Sequence, residues 1–208
     1  MKKFLTATLS LTALISTAAS SYGQGQVQFQ NNTATSPVVY YGPSPGQRIF
    51  GPAGTFEYGL YVGAAGVTTL SQMTLIDTAL NLASSSSTAP LAGLINGGTV
   101  TGQGNVGAAN GFAGLVAGTT YSFVVAVWTK ADGADYFTAF ATYDPNGHFG
   151  LSALGSVVPA ASPSPVVQLF GTGAGQIGGF VVDTPEPTTI TLGALGTAAL
   201  FLARCRKK

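Results

Sequence analysis

Residues 115–127 read Leu115-Val116-Ala117-Gly118-Thr119-Thr120-Tyr121-Ser122-Phe123-Val124-Val125-Ala126-Val127. The second half is rich in β-branched and aromatic side chains, which suit a pleated, partly buried surface. Successive side chains of a strand point to opposite faces. Tyr121, Phe123, Val125 and Val127 therefore share one face, and the spacing predicts that this face lies in a core. Gly118, followed by two threonines, marks the turn that feeds the strand.

Working outward, the same period of two recurs. Phe56, Tyr58, Leu60 and Val62 alternate with Glu57, Gly59 and Tyr61, which predicts a strand with one apolar face. Val27-Gln28-Phe29-Gln30 alternates as well. Residues 94–101, 166–170 and 180–182 read as further short strands. Residues 84–87 and 160–165 read as loops, the Gly-rich stretch 102–111 as a connection, and 171–179 as the end of a hairpin. Residues 136–143 suit a helix or a strand, and a short helix is the preferred reading. The Gly-rich windows lack the lysine of a phosphate-binding loop and no βαβ pattern surrounds them.

A leucine, a Gly turn and a Tyr opening an alternating strand resemble the tyrosine corner of fibronectin type III-like domains, at Leu115, Gly118 and Tyr121. The resemblance implies that the Tyr121 hydroxyl bonds to upstream backbone and pins the loop to the strand. The fold expected is all-β: a single β-sandwich of fibronectin type III/Ig-like type over residues 24–183, with a signal peptide before it and one transmembrane helix after it.

Charge is scarce. Of 208 residues, 46% are hydrophobic and only 7% charged, against roughly 25% charged in an ordinary soluble domain. Between residues 24 and 184 only Arg48 and Lys130 are basic, against six acidic residues, a net charge of −4. A nucleic-acid partner needs a basic face to neutralise phosphates, so nucleic acid is excluded as a partner of the body. The one cysteine, Cys205, lies in the basic tail, so the body has no disulfide and must hold by packing.

The groups that carry enzyme chemistry are few. His148 is the only histidine, in the turn that follows Asp144-Pro145-Asn146-Gly147. No Gly-x-Ser-x-Gly elbow accompanies it. Asp132 with Asp135, and Asp144 with Asn146, are the acidic pairs, and both read as turn residues because a closing carboxylate for a calcium loop is lacking. The body is expected to be no enzyme, with no catalytic residues, no metal and no cofactor. Trp128 falls on the face opposite Tyr121 and Val125 and is expected to pack beneath residues 136–143. The alternative is that Trp128, Tyr40, Tyr41 and Tyr61 stack on sugar rings.

The two ends carry an address. Lys2 and Lys3 precede an apolar run over residues 4–15, and small residues follow. This predicts a secretory signal peptide over residues 1–23, cut after Gly23 or, alternatively, after Ser20. At the other end Pro185-Glu186-Pro187 precedes sixteen uncharged residues, 188–203, and then Arg204, Arg206, Lys207 and Lys208. Sixteen helical residues span about 24 Å, short of a hydrocarbon core of about 30 Å. Bilayer thinning and snorkelling of Arg204 absorb the difference. The basic cluster is expected to stay cytoplasmic.

This three-part end resembles the PEP-CTERM sorting signal, at Pro185, Glu186, Pro187 and the basic residues from Arg204 onward; Cys205 departs from the family's usual Arg or Lys. The resemblance covers residues 184–208 and implies processing by the membrane protease exosortase. It also implies export through the inner membrane, transient anchoring by the C-terminal helix, and a final place at the cell surface or in the exopolysaccharide matrix. The expected role of the body is structural or adhesive; the alternative is a carbohydrate-binding module for the cell's own exopolysaccharide.

Overall fold

The computed structural model describes residues 23–31, 39–41, 47–142 and 147–182. The signal peptide up to Tyr22 and the sorting segment 184–208 lie outside the described residues. No described helix is long and apolar enough to cross a membrane. The described residues are all-β with one short α-helix. The strands are β1 (Gly25–Gln30), β2 (Val39–Tyr41), β3 (Phe56–Ala64), β4 (Thr74–Leu80), β5 (Asn96–Thr101) and β6 (Tyr121–Thr129), then helix α1 (Tyr136–Thr142), then β7 (Phe149–Leu151), β8 (Gly155–Val157), β9 (Ala160–Ala161), β10 (Val167–Gln168) and β11 (Phe180–Val182).

The stretch that opened the sequence reading forms the centre of the larger sheet. β6 pairs antiparallel with β3 along its whole length, from Phe56 opposite Thr129 to Ala64 opposite Tyr121. β4 lies on the far side of β3, with an irregularity between Leu60 and Tyr61. β7 and β8 take the other edge of β6 in turn. Between them Ser152 interrupts the ladder: its hydroxyl accepts from Val125 N at 2.9 Å, and its own N–H donates to the Val125 carbonyl at 2.9 Å. A second sheet is built on β1, which pairs antiparallel with β5 and β9 and parallel with β10. β2 and β11 form a separate parallel pair.

The inward faces of all three sheets meet in one apolar cluster. Val27 and Phe29 come from β1, Val39 from β2, Phe56, Tyr58, Leu60 and Val62 from β3, Phe123, Val125 and Val127 from β6, and Phe180 and Val182 from β11. The period-two predictions for β3 and β6 therefore hold. Phe123, Val125 and Val127 have no exposed surface, and burying side chains of this size contributes about 1.5–3 kcal/mol each. Tyr121 differs in degree: it packs against the rim of this cluster and stays half-buried. Its hydroxyl accepts from Val116 N at 3.1 Å and donates, at a longer 3.5 Å, to the Gly114 carbonyl. The hydroxyl-to-backbone tie implied by the corner is present.

Two local readings are corrected. Residues 160–165 are not all loop, since Ala160 and Ala161 pair with Gln26 and Gly25 as β9. Residues 171–179 do not close a hairpin, because β10 and β11 on either side belong to different sheets. The segment folds back on itself instead: Ile177 N donates to Leu169 O and Gly171 N to Ile177 O. β2, β4, β7 and β8 were not foreseen. They are short, or lack a clean alternation, and are held by neighbours remote in sequence.

Candidate functional site

The sorting residues Pro185, Glu186, Pro187, Arg204, Arg206, Lys207 and Lys208 lie outside the described residues. The outer face of the larger sheet carries a second set of packed side chains. There Tyr61 (β3), Met73 (just before β4), Val124, Ala126 and Trp128 (β6), Ala139 (α1) and Phe149 (β7) form a second buried cluster. Trp128 has no exposed surface and Tyr61 retains 3%. The indole N–H of Trp128 donates to Gly133 O at 3.0 Å, which fixes the turn leading into α1. Trp128 thus lies beneath α1, as its place on the strand predicted.

α1 is started by Asp135. One carboxylate oxygen accepts from Thr138 N at 2.9 Å and the other from the Thr138 hydroxyl at 2.8 Å, the bonding of an N-cap. The helix buries Ala139 and leaves Phe137 and Phe140 exposed. Its aromatic rings interlock: Tyr136 stacks on Phe140 with centroids 6.1 Å apart, Phe149 meets both edge-on, and Phe137 meets Tyr61 edge-on at 6.2 Å. Burial pushes the Tyr61 phenol up to about 12; the Asp135 charge adds to the rise and the Tyr136 N–H opposes it.

Beside this helix runs a groove of about 560 Å³, with Tyr61, Met73, Leu75 and Phe137 on its apolar walls and Thr74, Asn110 and Asp135 supplying polar atoms. Its far wall is the Gly-rich connection, which is strapped to β4. Val106 N and Gly107 N donate to Ile76 O, and the Asn110 amide donates to Leu75 O at 2.8 Å. Asp77 completes the strap, accepting from Asn105 Nδ2 at 2.6 Å and Thr78 N at 2.8 Å. Its burial raises the carboxyl above its ordinary range, and those donors partly oppose the rise.

His148 sits at the edge of the larger sheet. Its N–H donates to Thr129 Oγ1 at 2.9 Å, and its ring lies 5.8 Å from that of Phe56. Burial lowers its basicity, and the nearby Asp132 charge acts in the opposite sense. Asp132 is the last residue of a 3-10 turn, Lys130–Asp132, and the Asp135 carboxylate caps α1. Asp144 and Asn146 lie outside the described residues. Among the described residues no three His, Cys, Asp or Glu side chains come together as a metal site.

Burial removes two of the four sugar-stacking candidates; Tyr40 is half-buried, and the Tyr41 side chain lies outside the described residues. Trp128 has no exposed surface, and Tyr61 keeps only 3% at the groove wall, too little to stack on a sugar ring. Among the described residues Phe50, Phe137 and Phe140 carry exposed rings; sequence reasoning missed the two on α1 because a residue's face on a seven-residue helix depends on what the helix packs against. Two buried amides were missed as well. Asn31 accepts from Ile95 N and donates to Gly93 O, and Asn81 accepts from Phe56 N and donates to Pro52 O, so each ties a loop to the core. No family model, no curated protein and no solved structure matches this chain.

Proposed function

We propose that this chain is an exported, exosortase-sorted protein of the cell surface or exopolysaccharide matrix, whose body has a non-enzymatic structural or adhesive role. The observation that carries the reading is the order of features at the C-terminal end. Pro185-Glu186-Pro187 stands before an uncharged run of sixteen residues and a cluster of four basic residues. Proline fixes its own φ and pushes its predecessor out of the α region. Thr184 and Glu186 are thus biased toward extended backbone, which a protease can read, because helical amides are tied up in their own hydrogen bonds. The basic cluster holds the apolar run from the cytoplasmic side. The body is assigned in the same reading to the fibronectin type III/Ig-like sandwiches, supported by the bond from Val116 N to the Tyr121 hydroxyl.

The test of sorting is cell fractionation with a blot for the body. Glu186→Ala, and separately the replacement of Arg204, Arg206, Lys207 and Lys208 by Ser, should each hold the protein at the inner membrane. Undiminished processed protein outside the cell in both variants would falsify the reading.

A second reading, a carbohydrate-binding module for the cell's own exopolysaccharide, draws on the groove beside Phe137. An exposed aromatic ring next to Asn110, Thr74 and Asp135 offers the mix of apolar wall and convergent polar atoms that ligand sites use. Titration with the purified exopolysaccharide tests it: Phe137→Ala and Asn110→Ala should each weaken binding, and unchanged binding in both removes the groove as the site.

A further inference from the structure

We propose that the groove beside α1 takes a cationic amino sugar, its ammonium on Asp135 and its ring against Phe137. This rests on the carbohydrate-binding reading above and deepens it by naming the ligand class. Its first support is charge. Of the described residues that line the groove, Asp135 alone is charged. Its two oxygens each accept one bond from Thr138, which fixes the carboxylate and leaves each oxygen further lone-pair capacity. Lys130 does not line the groove. Its N–H donates to Thr55 O, just before β3, and the six residues from Thr55 to Tyr61 amount to about 20 Å of extended chain. Asp132 shares the turn of Lys130 and offsets it. Asp77, behind the strap, is also acidic. The local field therefore favours a cation.

The second support is the set of polar atoms left over. Asn110 spends its side-chain N–H on Leu75 O. Its side-chain carbonyl and the Thr74 hydroxyl have no partner among the described residues. Beneath them the Tyr61 hydroxyl, near the Asp135 charge and the Tyr136 N–H, is buried without a hydrogen bond. A buried hydroxyl left unpaired is costly. Asp135 and, across the groove, Asn110 thus present acceptors from two sides, and a ligand rich in N–H and O–H donors matches them.

The third support is the ring. Phe137 is 46% exposed, and it is held edge-on by Tyr61 at 6.2 Å and by Tyr136 at 5.8 Å. It is therefore presented already oriented, which lowers the ordering cost of binding. The apolar C–H face of a pyranose packs on such a ring, and the face of the ring attracts an ammonium. The volume of about 560 Å³ is within the range of small-ligand sites, about 300–1,000 Å³. A lysine side chain could also reach Asp135 and Phe137, but it carries no hydroxyls for Asn110 and Thr74. The leftover polar atoms favour the sugar over a basic peptide.

The experiment uses the full chain in nonionic detergent micelles at about pH 6, where a sugar amine is largely protonated and a carboxylate ionised. Calorimetric titration compares a fully deacetylated chitin tetramer, its fully N-acetylated counterpart and tetralysine. The deacetylated tetramer should bind, and the other two should bind at least about tenfold more weakly. Asp135→Asn keeps an N-cap side chain for α1 and should weaken binding by a similar factor with the Trp128 emission unchanged; Phe137→Ala should weaken it too. Equal binding of the N-acetylated tetramer overturns the ammonium contact and leaves a neutral carbohydrate site standing. Equal binding of tetralysine overturns the sugar assignment. Unchanged affinity in both variants overturns the groove as the site. Failure of both tetramers to bind overturns the amino sugar as ligand, while the exopolysaccharide titration above judges the carbohydrate-binding reading separately.

Discussion

The six-membered ring of Trp128 lies over the backbone of Gly59 on the adjacent strand. A methyl group built on Gly59 would stand 3.0 Å from Trp128 Cη2 and Cζ3 and 2.8 Å from Leu75 Cδ1. In the register Gly59 faces Ala126 and Trp128 faces Glu57, so the indole crosses diagonally to fill the space that Gly59 leaves. The pair forms the floor under α1.

Gly59→Ala should therefore overpack this floor and destabilise the fold by about 1–3 kcal/mol. Trp128 is the only tryptophan, so its fluorescence reports the event directly. A urea melt followed at the indole emission should show a lower midpoint and a native spectrum altered from the parent. An unchanged midpoint would place the ring elsewhere.

Tyr121→Phe removes the oxygen that accepts from Val116 N. The expected loss is about 1 kcal/mol, the net value of one hydrogen bond. The ring contacts with Phe112 and Phe123 should survive, so the urea midpoint should fall with no change in slope. Superimposable melts of variant and parent would show that the corner bond does not hold the loop.

Asp77 gives a pH signature. Burial raises its folded carboxyl above the ordinary value of 3.8. Between the two values the folded state binds more protons than the unfolded state, so stability falls as pH rises through that interval. Asp77→Asn keeps an acceptor for Asn105 and Thr78 and removes the titration. Relative to the parent, the variant should gain stability between pH 3.5 and 7. A pH-independent difference in urea midpoints would refute this account.

His148 has the opposite sign. Its folded value is lowered from 6.5 by burial, so on acidification the unfolded state takes up its proton first. The contribution is complete above pH 6.5 and is lost as pH falls from 6.5 toward the folded value. His148→Gln should flatten the stability profile between pH 7 and 5. A variant that follows the parent over this range would show that His148 titrates alike in both states.

The sequence by itself determined the central strands. Alternation is a local property, so the core faces of β3 and β6 could be read without knowing their partners. The corner was legible for the same reason, since Val116 and Tyr121 are five residues apart. So was the place of Trp128 beneath the 136–142 helix, because its position on β6 puts it opposite Tyr121 and Val125. Tertiary structure decided the rest. β1 meets β10, and β2 meets β11, across about 140 residues of chain, and two- or three-residue strands carry too little pattern to name such partners. Whether Tyr61 offers its ring to solvent depends on α1 lying across it, and whether Asn31 and Asn81 are loop residues or core ties depends on backbone amides brought in from 64 and 25 residues away. Exposure of a side chain is set by what packs on it, and that is fixed only when distant segments meet.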